Sequence, residues 1–308
     1  MKTTGSYKST YNDTDLYYAV WEPEGTKPVC VLQIIHGMCE YIDRYEPLAE
    51  YLNGFGIVVC GNDHIGHGHS VHDGKFGYFG ESDGWKHLVD DEQGLRKLME
   101  EKYPELPYVM LGHSMGSFML RAYLNVYAEG IKGAVIEGTS GTNPGALAGI
   151  IMAQTRRRIK GGEHRSKVMT TIAFGSYNRR IKNARTSYDW ISRDKAVVDK
   201  YVDDPFCTYI FTLAGYEDMF RLLDHVSKDE WYQNYPKALP TLLAAGTEDP
   251  VGDYGYGVTE VYNGLKEQGC DVKLSLYEGM RHELHNEIGK EAFYEELKDF
   301  ILDCIAEE

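Results

Sequence analysis

Residues 108–116 read Tyr-Val-Met-Leu-Gly-His-Ser-Met-Gly. The apolar run Tyr108 to Leu111 has the character of a buried strand, and from Phe118 to Tyr127 apolar positions recur at helical spacing. Between them stands a G-x-S-x-G turn, Gly112-His113-Ser114-Met115-Gly116. Without a Cβ at either glycine the turn can be tight, and a serine held there in a strained conformation lifts its hydroxyl above the sheet, at the N-terminus of a helix beginning near Ser117. The same five residues also suit an ordinary strand-to-helix turn, so the meaning of Ser114 depends on its partners.

Working outward, the chain alternates strands and helices. Towards the N-terminus come a hairpin-like opening from Ser6 to Trp21, a strand Val29 to Ile35, a helix Tyr45 to Leu52, a strand Gly56 to Cys60 and an amphipathic helix Trp85 to Met99. Towards the C-terminus, Val135 and Ile136 lie in a short strand. The rhythm resumes with strand Thr241 to Ala245, a helix around Val258 to Gln268, strand Val272 to Tyr277 and a helix from Ala292 to Ile305. Such alternation predicts an α/β fold with a mostly parallel sheet covered on both faces. Between Thr142 and Pro236 it gives way to a helix-prone stretch rich in Tyr, Arg and Lys, read as an insertion. The expected organisation is a core of residues 1–141 and 237–308 with a mainly helical cap, 142–236, over the carboxyl ends of the strands, where open α/β sheets place ligands.

A serine hydroxyl at neutral pH needs a base to take its proton and a third group to orient that base. Strand Thr241 to Ala245 runs into Gly246-Thr247-Glu248-Asp249-Pro250-Val251, and Asp249 is the expected acid, with Glu248 its nearest rival. After Val272 to Tyr277 comes Glu278-Gly279-Met280-Arg281-His282-Glu283-Leu284-His285. His282, the first imidazole beyond the strand, is the expected base and His285 the alternative; the chain order Ser, acid, His fits either. Two backbone donors must face the developing oxyanion. Met115, just after the serine, offers one N–H, and Met38, in the loop His36-Gly37-Met38 after Gln33-Ile34-Ile35, is expected to offer the other; His36 is read as structural.

Composition narrows the partners. With 308 residues, 43% hydrophobic and 26% charged, the chain can bury a full core. Its net charge of −15 argues against nucleic acid, whose phosphates call for concentrated Lys and Arg. One segment departs from that average: from Arg156 to Arg185 ten basic residues face a single acid, Glu163, a local charge of +9. This patch suits transient contact of the cap with an anionic lipid surface, or a solvated face set against the acidic remainder. Six scattered cysteines without a C-x-x-C pair are expected to be free thiols; together with a polar start and no bilayer-length apolar run, they predict a cytoplasmic protein. Asp63-His64-Ile65-Gly66-His67-Gly68-His69-Ser70 has the residues of a metal site but not its spacing. Its glycines favour flexibility over a single ligand face, and a tight structural loop near the site's rim is expected.

Read together, these stretches resemble the monoacylglycerol lipase and lysophospholipase-like branch of the α/β-hydrolases, grouped with serine aminopeptidase-like sequences. The resemblance is carried by His36-Gly37-Met38-Cys39-Glu40 with Arg44-Tyr45, by Asp63-His64 with Gly66-His67-Gly68 and Ser70, and by Gly112 to Gly116. Asp249-Pro250-Val251, Gly279 with Arg281-His282-Glu283, and Asn286-Glu287 complete it. Tyr41 and Ile65 depart from the pattern, which usually has histidine and arginine there; neither belongs to the triad. The resemblance implies an α/β-hydrolase fold and an ester hydrolase acting on a lipid with one acyl chain. It also implies Ser114, Asp249 and His282 as triad and Met38 and Met115 as oxyanion donors, with no metal or organic cofactor required. A short-chain carboxylesterase and a peptidase releasing N-terminal residues use the same triad, and a ligand-binding protein without turnover uses the same fold. Phe174, Tyr177, Trp190, Phe206, Tyr209 and Phe211 are candidates either for an acyl pocket or for the cap's own core.

Overall fold

Three strands whose residues are all buried, β3 (Cys30–Ile35), β5 (Tyr108–His113) and β7 (Thr241–Gly246), set the architecture in a computed structural model that describes residues 1–306. A strand buried on both faces has no polar alternation, and these runs have almost none. With β1 (Lys2–Lys8), β2 (Asp15–Trp21), β4 (Ile57–Asn62), β6 (Ile131–Glu137) and β8 (Val272–Tyr277) they form one eight-stranded sheet in the order β1-β2-β4-β3-β5-β6-β7-β8. The hairpin β1–β2 joins β4 antiparallel and every other pair is parallel.

Alternate strand residues serve different layers, as the two-residue repeat requires. Leu32 and Ile34 point into one apolar layer with α1 (Glu46–Asn53) and α10 (Glu291–Ala306), through Leu48, Leu52, Phe293 and Leu297. Val31 and Ile35 point into the other, built with α2 (Gly84–Lys102), α3 (Met115–Tyr127) and α9 (Tyr256–Glu267). Between β6 and β7 the chain forms α4 (Gly145–Lys160), α5 (Lys167–Phe174), α6 (Lys195–Asp203), α7 (Leu213–Val226) and α8 (Asp229–Asn234). Side-chain oxygens of Ser166, Asp194 and Thr212 accept from backbone N–H groups in the first turns of α5, α6 and α7, satisfying donors a helix start leaves orphaned. At Gly149 an added methyl carbon would lie 2.8 Å from the Phe220 ring, so α4 and α7 approach closely only because that position is bare.

Two boundaries differ from the sequence expectation. Helix α3 begins at Met115, two residues earlier than Ser117, because the sharp turn is completed within Ser114 itself (φ 54°, ψ −120°). Strand β6 runs from Ile131 to Glu137 although only Val135 and Ile136 stand out as β-formers; β5 pairs with Ile131 and Gly133 across a register shift at Lys132, and β7 pairs from Ala134 onward.

Candidate active site

The parallel register brings distant residues to one edge. Gly112 lies opposite both Ile35 and Ile136, and His113 opposite Glu137, while Gly246 at the end of β7 pairs with Tyr277 at the end of β8. The loops that follow these strands therefore converge. The elbow leans on the loop after β3: a methyl carbon at Gly37 would stand 3.0 Å from the Ser114 Cβ, and one at Gly116 would collide with the carbonyl oxygens of Ile35 and His36. The Ser114 N–H donates to the Glu137 carbonyl at 3.0 Å. Met115 is the first residue of α3, so its N–H is among those without an intrahelical acceptor.

His282 and Asp249 are both buried, with His282 Nδ1 3.0 Å from Asp249 Oδ2. Asp249 Oδ1 also accepts from the Val251 N–H at 2.9 Å, which fixes the carboxylate. Glu248, the rival acid, is exposed. The second imidazole, His285, is engaged elsewhere: its Nδ1 lies 2.8 Å from Glu137 Oε1. Burial would lower the His285 pKa, but Glu137 outweighs it and the net shift is upward. The His282 ring lies 4.7 Å from that of His113, the residue before Ser114, and 5.0 Å from that of Trp190. Gly138, at φ +61°, leaves room for the imidazole, since a methyl carbon there would be 3.1 Å from its Cε1.

Ser114, His282, Met38 and Met115 open on one cavity of about 700 Å³, within the range that encloses a small organic ligand. Of the six aromatic residues singled out in sequence, Phe174, Tyr177, Trp190 and Tyr209 line it. Phe206 instead packs on Tyr41 and His69, and Phe211 is fully buried against Phe79. Trp190 was not foreseen as a neighbour of His282, nor Glu137 as a partner of His285.

The histidine-rich loop is tight but not flexible. Asp63 accepts from the backbone N–H groups of Ile42 and His69, and the rings of His36 and His64 stack at 3.6 Å with the His64 N–H donating to His36 Nε2. Burial depresses the pKa of His36 strongly and that of His67 to about 3, so both imidazoles are neutral. Among the described residues, the one place where three ligand atoms cluster closely enough for a cation, within 4.8 Å of each other, is Glu40, His113 and His285. Its chemistry does not fit a metal: Glu40 Oε1 already faces donors on Gly37, Tyr45 and His113, and its Oε2 is paired with the Arg44 guanidinium, which would repel a cation.

Sheet, elbow and converging loops define an α/β-hydrolase. The family described as serine aminopeptidase, S33, matches residues 26–289, and the chain belongs to that family. Human monoglyceride lipase is 29% identical over 293 residues, covering 89% of this chain and 81% of that protein. Monoacylglycerol lipase of Mycolicibacterium smegmatis is 27% identical over 290 residues, covering 93% and 92%. A thermostable carboxyl esterase of Bacillus coagulans, solved in complex with glycerol, superposes with a TM-score of 0.93 at 31% identity and 99% coverage of both chains. The chain is a carboxylic ester hydrolase.

Proposed function

We propose that the protein cleaves esters of single-chain lipids, monoacylglycerols first among them, through an acyl-enzyme on Ser114. His282 takes the serine proton, Asp249 holds the imidazole tautomer, and the N–H groups of Met38 and Met115 receive the oxyanion; water activated by His282 then releases the acid. The observation that carries this reading is the buried His282–Asp249 pair at 3.0 Å, opening on the same partly aromatic cavity as Ser114. A peptidase would need a carboxylate available for the substrate's amine. Of the three acids lining the cavity, Glu40 and Glu283 are committed to Arg44, which leaves Asp253 alone for such a role and favours the ester over a clamp of several carboxylates.

Residues 142–236 act as a cap that meets the lipid surface. Leu147, Ile151 and Ile159 share one face of α4 at multiples of four residues and are exposed, Ile159 to 78%; Val168 and Ile172 on α5 are exposed as well. Apolar groups gathered there among Arg156, Arg158, Lys160 and Lys167 suit insertion into an anionic interface. No helix among the described residues is long and apolar enough to cross a membrane. Cys30, Cys39, Cys60, Cys207 and Cys270 are buried free thiols, which supports a reducing compartment, the cytoplasm.

The test compares wild type and Ser114→Ala on p-nitrophenyl esters of increasing chain length, a monoacylglycerol and a lysophospholipid. Ser114-dependent turnover highest on the lipids is expected; turnover confined to short esters would replace the lipid reading with that of a general carboxylesterase. In parallel, Leu147→Ser/Ile151→Ser should lower binding to vesicles containing phosphatidylserine, and binding indifferent to both the substitutions and the anionic lipid would remove the membrane contact.

A further inference from the structure

Glu40, Arg44 and Glu283 are motif residues with no part in the acyl transfer just described, yet they are buried together at its base. Glu40 and Glu283 are each about 2% exposed. One oxygen of Glu40 accepts from the Gly37 N–H at 2.5 Å, one residue before Met38, and lies 2.8 Å from His113 Nδ1, one residue before Ser114. Its other oxygen accepts from Arg44 at 2.9 Å. Arg44 then forks onto both oxygens of Glu283, at 2.9 and 2.7 Å, one residue after His282. Asn286 donates to Glu283 as well, and the Arg44 guanidinium lies 4.9 Å from the centre of the Tyr201 ring.

We propose that Glu40, Arg44 and Glu283 form a positioning bridge that holds the oxyanion loop, the serine elbow and the histidine loop at fixed spacing. The inference rests on the Ser114 reading and adds to it the element that sets its geometry. Three features carry it. The bridge ends one residue away from each of the three groups that must converge on the ester carbonyl. Burying a triad of charges brings little net stability, because desolvation offsets most of the attraction, so an apolar replacement of similar volume would hold the fold equally well. Arginine is the side chain that can serve both carboxylates at once, with a planar fork of donors that lysine lacks. Burial alone would raise the Glu40 carboxyl, but His113 and Arg44 outweigh it and hold it well below the usual range; Glu283 is lowered in the same way by Arg44. Both acids are therefore ionised whenever the enzyme is folded at neutral pH. The charged acceptor fixes the Gly37 amide, so only the φ and ψ of Gly37 separate that anchor from the peptide that carries the Met38 N–H. Catalysis is sensitive to such placement, a shift of about 1 Å being enough to cost about 100-fold.

The experiment uses Arg44→Met, Arg44→Lys and Glu40→Gln in the full-length protein. Competent sites are first counted by titration with a fluorophosphonate. Then kcat per titrated site, KM for a p-nitrophenyl ester and inhibition by an alkylboronic acid, which mimics the tetrahedral intermediate, are measured. Loss of one oxyanion donor costs about 100-fold or more in kcat. Arg44→Met is expected to approach that loss per titrated site, weaken the boronate by a similar factor and leave KM within about threefold, with partial recovery in Arg44→Lys. Glu40→Gln should behave like a milder Arg44→Met. If the variants merely lose titratable sites or melt lower while kcat per site stays at the wild-type value, the bridge is structural and the proposal is wrong. Stoichiometric labelling that survives Ser114→Ala would instead overturn the Ser114 reading, and the bridge with it.

Discussion

Replacing Ser114 by glycine should make the protein more stable while abolishing its activity. At φ 54° and ψ −120° Ser114 occupies a region that a residue with a Cβ enters at a cost. Strain of this kind amounts to about 1–3 kcal/mol, and it persists here because β5, α3 and the loop after β3 fix the turn from three sides. Glycine removes it, but glycine also loosens the unfolded chain, which returns about 0.4–1 kcal/mol. Ser114→Ala keeps the Cβ and hence the strain, so it is the proper reference, and the expected gain of glycine over alanine is about 1–2 kcal/mol. For a chain of 308 residues, with roughly 2.1 cal/mol/K of unfolding entropy per residue, each kcal/mol moves Tm by about 1.5 °C. Scanning calorimetry should therefore place Ser114→Gly about 1.5–3 °C above Ser114→Ala, with neither variant labelled by a fluorophosphonate. A glycine variant melting at or below the alanine variant would refute the claim that the elbow stores strain.

Arg121 on α3 is fully buried and meets no carboxylate among the described residues; it donates to Thr139 Oγ1, Ser140 O and Val226 O and lies 4.2 Å from the centre of the Trp231 ring. Since Ser140 and Val226 flank the helices α4 to α7, Arg121→Met should cost about 2–4 kcal/mol and speed tryptic cutting in the basic stretch 156–185, and cleavage at the wild-type rate would count against this pinning role. Asp218 on α7 accepts from the Trp85 N–H at the start of α2, and burial raises its pKa from 3.8 to about 7. An acid raised on folding favours the folded state fully below its unfolded pKa, and that contribution is lost as pH rises through the folded value, here between about pH 4 and 7. At about 1.4 kcal/mol per pKa unit, Asp218→Asn should therefore gain a few kcal/mol over wild type at pH 8 compared with pH 4; parallel stability curves would exclude it. Amide exchange should be fast in α5, whose one buried residue is Met169, and slow at residues 189–193; equal rates in the two segments would show a uniformly mobile cap.

What the sequence made legible was whatever depends on neighbours in the chain. The buried runs of β3, β5 and β7 announce themselves because a strand covered on both faces needs apolar residues throughout. In sequence, Asp249 is preferred to Glu248 in the loop after β7, and His282, as the first imidazole after β8, to His285; Asp249 and His282 are in hydrogen-bonding contact, while Glu248 is exposed and His285 lies against Glu137. Contacts between loops were not legible. Arg44 and Glu283 are 239 residues apart and Glu137 and His285 are 148 apart, and no local pattern marks either pair. Arg121 sits among apolar helix positions as any amphipathic surface arginine would, and only the packing of α3 under α7 and α8 reveals that it is enclosed.

The helices between β6 and β7 are attached differently on their two sides, and under the proposed lipid-ester reading this bears on how one cavity would both admit substrate and exclude water. On one side the histidine loop grips residues 189–193. Arg281 donates to the carbonyls of Asp189 and Ser192, the Glu283 N–H donates to the Ile191 carbonyl, and Glu287 accepts from the Arg193 N–H. Trp190 is thereby held over His282, the proposed base, where a wall that moved would uncover it. On the other side α5 and the Gly175 that follows it line the cavity, yet of the eight residues of α5 Met169 alone is buried. On the proposed reading, an acyl chain entering past α5 would meet a helix with one buried residue and would leave the bonds that hold residues 189–193 untouched. The apolar and basic groups at the surface of α4 and α5 lie on that same loosely held side, so contact with a lipid interface would act on the part of the cap that can yield, while the part next to the reacting atoms stays in place.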